Sequence, residues 1–477
     1  MISLLAALAI ALVLGVSLWL CLVGKPHNWP ERLAALGGGT LLGLAACGLS
    51  VRLPSWLGWQ ALPDHVWLWP LLPALIVAGL AWRTCRRAPA IGPTRLLEPA
   101  LTTGQITLLS LLLLLVLARS LIGIDEAWLR PLFGWDAWLA WSNKARTWAL
   151  AGQALPFVDP ATWWASGDQV RTAYAWAYPE LLAWIQVWLA SAAGGWYEGA
   201  VNLAWPVLWL ALLLGSYGLW RGLGVTPFAA MLGVYALASL PLLQVHSILA
   251  GYGDLWLATA LAFGLLAWLR WRETGERRQL LLALVMAGLL PLLKHEGTIW
   301  ALGLAGLVLW TLLARWPRPY RALVVLAAMA MVLLASWLLD LAWFETLTTL
   351  FATSGSAPSE SVAAAILSGM YTQENWHLLW YLAPVILVWR WRLLLDYPGL
   401  AGLLLYLLGG LILIWVLFLC SGAGIWAQTY TAINRIVLQL VPGIVSLLVL
   451  LAGRVPPATV VQPSGVAGTA QPLASSR

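Results

Sequence analysis

The chain is a succession of apolar runs separated by short polar breaks, many of them carrying arginines. Crossing the hydrocarbon of a bilayer as a helix takes roughly 20 apolar residues. On that rule, candidate spans fall at 2–23, 33–50, 65–82, 101–121, 178–193, 200–220, 226–249, 254–271, 280–293, 297–314, 322–342, 376–391, 399–420 and 436–453. The first has no positive segment ahead of it and no small-residue cleavage site behind it, so it reads as a retained helix.

Orientation follows from arginine in short loops, which collects on the cytoplasmic side. Arg83, Arg86, Arg87 and Arg95 mark one such loop, and Arg270, Arg272, Arg277 and Arg278 a second. Arg315, Arg318 and Arg321 mark a third, Arg390 and Arg392 a fourth. Segments 122–177, 294–296, 343–375 and 421–434 then face outside. Between 178 (outside) and 270 (inside) four apolar segments occur, yet only an odd number can cross. The short 178–193 segment, with Glu180 and Gln186, is the expected re-entrant or interfacial one, leaving about 13 transmembrane helices and an outside N-terminus. The chain divides into N-terminal transmembrane helices (1–121), an outside loop (122–177), a transmembrane bundle (178–453) with a second, Ser/Gly/Thr-rich outside loop at 343–375, and a tail (454–477) whose Pro, Gly, Ala and Ser content predicts disorder.

Composition narrows the class. Of 477 residues, 62% are hydrophobic and 9% charged, with mean hydropathy +0.84, against about 25% charged in a soluble domain. The chain is thus an all-α polytopic integral membrane protein, which excludes a water-soluble enzyme, a disordered chain and a nucleic-acid-binding module. The net charge of +7 sits in the short loops and reports orientation rather than affinity for nucleic acid. Cys21, Cys47, Cys85 and Cys420 show no metal-binding spacing, and the five histidines are scattered. The 35 tryptophans predict extensive structure at the membrane–water boundary.

Candidate chemistry concentrates in the first outside loop, which holds five of the 19 acidic residues: Asp125, Glu126, Asp136, Asp159 and Asp168. From 137 to about 151, Trp138, Trp141, Ala145 and Trp148 share one helical face while Asn143, Lys144 and Arg146 lie off it, the pattern of an amphipathic helix lying on the membrane surface. Asp136 stands immediately before it. Two readings of Asp136 stay open, a helix N-cap or a general base at the lipid–water boundary. Asp125 and Glu126 follow a span directly and read either as a solvated helix end or as catalytic carboxylates. Asp159 and Asp168 read as ordinary loop residues. Trp163, Trp164 and Trp176 could stack on sugar rings, although anchoring at the interface explains them too.

A span, an acidic loop and a juxtamembrane helix with Lys144-Ala145-Arg146 closed by Gly152 resemble the GT-C superfamily, in particular polyprenyl-phosphate-dependent glycosyltransferases of the protein mannosyltransferase and aminoarabinose transferase type (family 39-like). Ala177-Tyr178-Pro179-Glu180-Leu181-Leu182 resembles that family's Tyr-Pro-Pro-Leu segment. Gly251-Tyr252-Gly253-Asp254 resembles its later acidic loop, and Leu293-Lys294-His295-Glu296-Gly297 its Lys-containing turn between helices. Asn434-Arg435-Ile436 through Pro442 resembles its Arg-to-Pro stretch. The chain departs from the family where an Asp-Glu pair is common, since Asp136 is followed by Ala137 and the only such pair is Asp125-Glu126.

The resemblance implies a GT-C-like helical bundle that moves a sugar from a polyprenyl-phosphate donor to a glycan, lipid or protein acceptor at the outer face of a bacterial-type inner membrane, with inversion. It implies Asp136, Asp125 or Glu126 as catalytic carboxylate and Lys294 and Arg435 at the donor phosphate. Asp254, His295, Glu296, Lys144 and Tyr178 would contact substrate. No cofactor is required, though the carboxylates would suit a divalent metal ion. The residues support the chemistry independently: transfer needs a base for the acceptor hydroxyl and cations where charge develops on the departing phosphate. Lys294 and Arg435 are isolated cations on the outer side, and a Lys-His-Glu triplet between apolar helices is costly unless paired or functional. A snorkelling arginine and a helix cap are the plainer accounts of Arg435 and Asp254. A flippase or transporter of lipid-linked sugars, a polysaccharide polymerase or ligase, and a non-catalytic assembly partner are the competing functions.

Overall fold

The computed structural model describes residues 1–87, 101–352 and 359–454; Arg95, the tail from 455 and the side chain of Asp168 lie outside that description. The described residues are all-helical, with isolated bridges joining Ala61 to Gln153, Phe157 to Arg171 and Val225 to Arg454 instead of strands.

Seven of these helices are long and apolar enough to cross a membrane: Ile2–Val23, Trp29–Trp56, Val66–Arg86, Thr103–Leu129, Glu198–Gly222, Arg318–Leu338 and Pro398–Cys420. Pro227–Ser239 and Pro241–Ile248 make an eighth if counted together, bent by 65°. The bend lies at Leu240, held extended by the proline that follows it. Thirteen spans were expected. Two of the expected spans fold as Leu379–Trp389 and Val441–Gly453, helices of 11 and 13 residues, short of the roughly 20 a straight crossing takes, and the segment expected not to cross forms the 13-residue helix Leu181–Ala193. Hydropathy cannot separate a residue facing lipid from one facing protein. Leu181–Ala193 is apolar because nearly every residue from Leu181 to Ala192 is buried in the bundle. The expected loop at 343–375 is also largely helical, with Ala342–Ala352 and Ser359–Tyr371 on either side of residues 353–358, which are outside the description.

Close helix packing in lipid depends on small residues, because tails solvate leucine as well as another helix does. Trp29–Trp56 shows this on three sides. A Cβ on Gly15 would stand well inside 3.0 Å of the Gly39 carbonyl oxygen, and one on Gly43 would meet the Ala11 carbonyl. Gly37 touches the backbone of Gly215 in the same way, Gly218 that of Pro30, and Gly48 faces Ile185. Elsewhere, large rings fill the space that small residues leave. Trp19 lies over Gly38 and Trp268 over Gly402, and Trp148 stacks on Trp184 at 4.3 Å. Tryptophan, expected to mark extensive structure at the interface, also fills the core: Trp141, Trp184, Trp188, Trp205, Trp220 and Trp256 are among those fully buried.

Helix direction sorts the charges to two ends. Asp254–Thr274 starts at Asp254 and finishes beyond Arg270, and Arg277–Leu293 returns to Lys294. At the arginine end, Arg454 pairs with Glu273 at 2.6 Å and Arg390 Nε donates to the Leu451 carbonyl at 2.8 Å. Sixteen residues of helix separate Asp254 from Arg270, about 24 Å, close to the hydrocarbon thickness of a bilayer.

Gly15→Ala should destabilise the protein by about 1–3 kcal/mol through backbone overlap. Gly79→Ala, inside the helix Leu71–Arg87 where an added Cβ meets nothing within 4 Å, should be neutral or stabilising by up to about 1 kcal/mol. Thermal unfolding of both variants in detergent checks this, and equal effects would contradict the packing described.

Candidate functional site

At the end opposite the arginines, three helix junctions meet. Asp254 is the first residue of its helix and is fully buried; Gly253 is the N-cap. It is therefore no cap, and its charge is met by side chains. Lys294 Nζ donates to Oδ1 at 2.8 Å, as does Gln439 Nε2 at 2.8 Å. Arg435 donates to Oδ2 from Nη2 at 3.1 Å and from Nε at 3.2 Å. Arg435 Nη2 also holds the Asp136 carboxylate, so one guanidinium joins two carboxylates 118 residues apart in the chain.

Local sequence explains how each group arrives. The helix Arg277–Leu293, weakened in its last turn by Pro291, stops at Leu293, and Lys294 is extended, at φ −154° and ψ 158°, before the next helix begins at His295. Gly297 permits the tight return, since a Cβ there would strike the Leu290 carbonyl. The loop before Asp254 presses against the first outside loop. Gly251 has φ +88° and sits where a Cβ would meet Ala137 and Ser142, and Gly134 accepts the ring of Tyr252. Tyr252 in turn lies under the Arg435 guanidinium, 4.3 Å from it.

Asp136 is the second residue of the short helix Trp135–Leu139, capped at Gly134, so the cap reading is replaced by a pairing with Arg435. Its side chain is 25% exposed and that of Arg435 20%, whereas Lys294 is 4% and Asp254 0% exposed. The cluster thus has a closed inner pair and an open outer pair. Glu296 extends it, with Oε1 3.1 Å from Lys294 Nζ and a side chain 22% exposed. Its Oε2 and His295 Nε2 are buried without a hydrogen-bond partner among the described residues, which is costly unless a ligand or water meets them. Tyr178 packs edge-on against His295 at 4.5 Å and Trp141 at 5.6 Å. Burial, then the Glu296 carboxylate, push its phenol up. Burial alone would lower both Lys294 and Arg435, but Asp254 and the second carboxylate beside each hold both firmly protonated.

The remaining expectations fare differently. Asp125 and Glu126 lie inside Thr103–Leu129, whose helix continues beyond the expected end at 121, and Glu126 pairs with Arg130 in an i,i+4 bridge. Neither joins the cluster: they are a helix end. The amphipathic stretch is broken at Ala140 into Trp135–Leu139 and Trp141–Ala151, and Gly152 closes it in the left-handed conformation. The break turns Trp138 outward and Lys144 inward. Lys144 is buried and donates to the carbonyls of Trp176 at 2.6 Å and Tyr178 at 3.0 Å. It fastens the loop that carries Tyr178. Asp159 caps Pro160–Ser166, and Trp164 on that helix is exposed. No group of three His, Cys, Asp or Glu residues among those described could hold a metal ion.

Sequence reading missed Gln439 and Tyr252. Gln439 is four residues beyond Arg435, and its Oε1 accepts from Trp300 Nε1 at 2.7 Å while its amide serves Asp254. A lone glutamine within the apolar stretch 436–453 was the available signal.

Burial lowers Lys144 to about 8, with Glu180 opposing and Arg52 assisting the shift. Unfolded lysine stays protonated to about 10.4, so between pH 8 and 10 the unfolded chain holds the extra proton and stability rises with pH. Wild type should gain roughly 3 kcal/mol relative to Lys144→Met between pH 7 and 10. A pH-independent difference in unfolding would show that Lys144 stays charged. Scans against protein-family models, curated proteins and solved structures each found no match to this chain.

Proposed function

We propose that this protein is a GT-C-type membrane glycosyltransferase that moves a sugar from a polyprenyl-phosphate donor to an acceptor hydroxyl. The observation that carries the reading is the convergence of Asp136, Asp254, Lys294, Glu296 and Arg435 at the end of the bundle away from the arginine loops. By the positive-inside rule that end faces outward, where a lipid-phosphate donor and an envelope acceptor can both reach it.

The roles follow from exposure. Asp136, open to solvent, takes the proton as the acceptor oxygen bonds the anomeric carbon and the bond to phosphate breaks. Arg435 meets the phosphate: its named hydrogen bonds use Nε and Nη2, and Nη1 has no acceptor among the described residues. A guanidinium fixed in this way is preorganised for the charge that develops on the leaving group. Lys294 is spent on Asp254 and Glu296, so it positions Asp254, which in turn orients Arg435. His295 Nε2 and Glu296 Oε2 are free to receive sugar hydroxyls. The bilayer holds the donor's tail.

One feature favours transport instead, the broken pair Pro227–Ser239 and Pro241–Ile248 with its buried His246. A single experiment separates the two. A strain lacking the gene is complemented with wild type or Asp136→Asn at equal membrane levels, and its envelope glycans, lipids and proteins are weighed by mass spectrometry. Transfer through Asp136 predicts that the variant, like the deletion, lacks one sugar mass on one acceptor, with turnover down at least 100-fold. If Asp136→Asn restores the lost mass in full, Asp136 is not the base and transport or assembly moves ahead.

A further inference from the structure

The arginine end holds a cavity of about 860 Å³ that the transfer reaction does not use. It opens where six helix ends meet: those of Ile2–Val23, Trp29–Trp56, Leu71–Arg87, Ala204–Gly222, Asp254–Thr274 and Arg277–Leu293. Lys25, Arg83, Arg270, Arg277 and Arg278 line it, against two carboxylates, Glu31 and Glu276. Glu31 is already engaged, 3.8 Å from Arg270 and accepting the His27 amide at 2.7 Å. The cavity therefore carries a surplus of cations beside an apolar wall of Trp19, Val23 and Leu80.

Three further observations argue for an anion site over a row of orientation signals. Gln279 lines the cavity, is 3% exposed, and its Oε1 has no hydrogen-bond partner among the described residues; Arg270 Nε is buried and likewise unpartnered. Oxygen and nitrogen of a glutamine amide are interchangeable in shape, so Gln279 can present its NH2 to an acceptor. Two glycines make room for the guanidinium groups, because a Cβ on Gly24 would strike Arg278 Nη1 and one on Gly222 would strike Arg270 Nη1. Lastly, Arg277 and Arg278 open a 17-residue helix at its positive end, where cations are unfavourable unless an anion lies between them and the dipole.

We infer that this cavity binds a phosphate-bearing ligand, with the phosphate among Arg270, Arg277, Arg278 and Gln279 and its organic body along Leu80 and Val23. The volume exceeds what inorganic phosphate alone fills and falls in the range of organic-ligand pockets. Basic pockets between helices on the arginine-rich side also suit anionic lipid headgroups. The inference stands whether or not the opposite end transfers a sugar.

The test is the melting temperature of full-length protein in neutral detergent, titrated with phosphatidylglycerol, with phosphatidylcholine, or with inorganic pyrophosphate. Stabilisation by phosphatidylglycerol but not phosphatidylcholine identifies a lipid headgroup, and stabilisation by pyrophosphate identifies a soluble phosphate. In either case Arg277→Gln/Arg278→Gln, at two exposed positions, should raise the half-saturating concentration at least tenfold. Arg315→Gln/Arg318→Gln, on another loop outside the cavity, should leave it unchanged. If neither anion stabilises the protein, or if the two double variants weaken binding equally, the site does not exist.

Discussion

A carboxylate buried in an apolar bundle is the constraint around which this structure is organised. Asp254 has no exposed surface, and an unpaired charge there would cost several kcal/mol. The chain meets it with Lys294, Arg435 and Gln439, drawn from two helix junctions 141 residues apart. Several other features of that end serve this arrangement. Pro291 and Gly297 shape the turn that delivers Lys294, Gly251 lets the loop before Asp254 approach Asp136, and Trp300 holds Gln439. Buried ion clusters seldom add stability over a well-packed apolar core, so a cluster this elaborate points to function.

The charge layout gives the molecule two chemically different ends. At one, carboxylates and cations nearly balance and the outer pair, Asp136 and Arg435, reaches solvent. At the other, arginines outnumber acids around a cavity. About 24 Å of helix separates them. The transfer chemistry and the anion capture proposed above fall at opposite ends of the bundle.

Much of the site was legible because charge in an apolar chain is conspicuous. Asp136, Asp254, Lys294, Glu296 and Arg435 stand out against their neighbours, and the structure brings them together. Helix limits were less legible. Hydropathy ends a span at 121, yet packing of Gly123 and Ala127 carries the helix to Leu129 and takes Asp125 and Glu126 out of the loop. The face of the juxtamembrane helix was misread because periodicity cannot foresee the break at Ala140, which buries Lys144 and exposes Trp138. Short buried helices such as Val441–Gly453 look like spans, since protein and lipid select the same residues. The arginine cavity was hidden for a similar reason, its residues having served already as topology signals.

The claim that Asp254 is the organising charge is tested most directly by a double-mutant cycle with Lys294. Unfolding free energies of wild type, Asp254→Asn, Lys294→Met and the double variant would be measured in mixed detergent micelles. If the pair is buried and in contact, each single change removes one charge partner from a residue that stays buried, and the double variant recovers a coupling of about 1–3 kcal/mol. Additive effects, within a few tenths of a kcal/mol, would mean that the two side chains do not meet and that the site is not assembled as described.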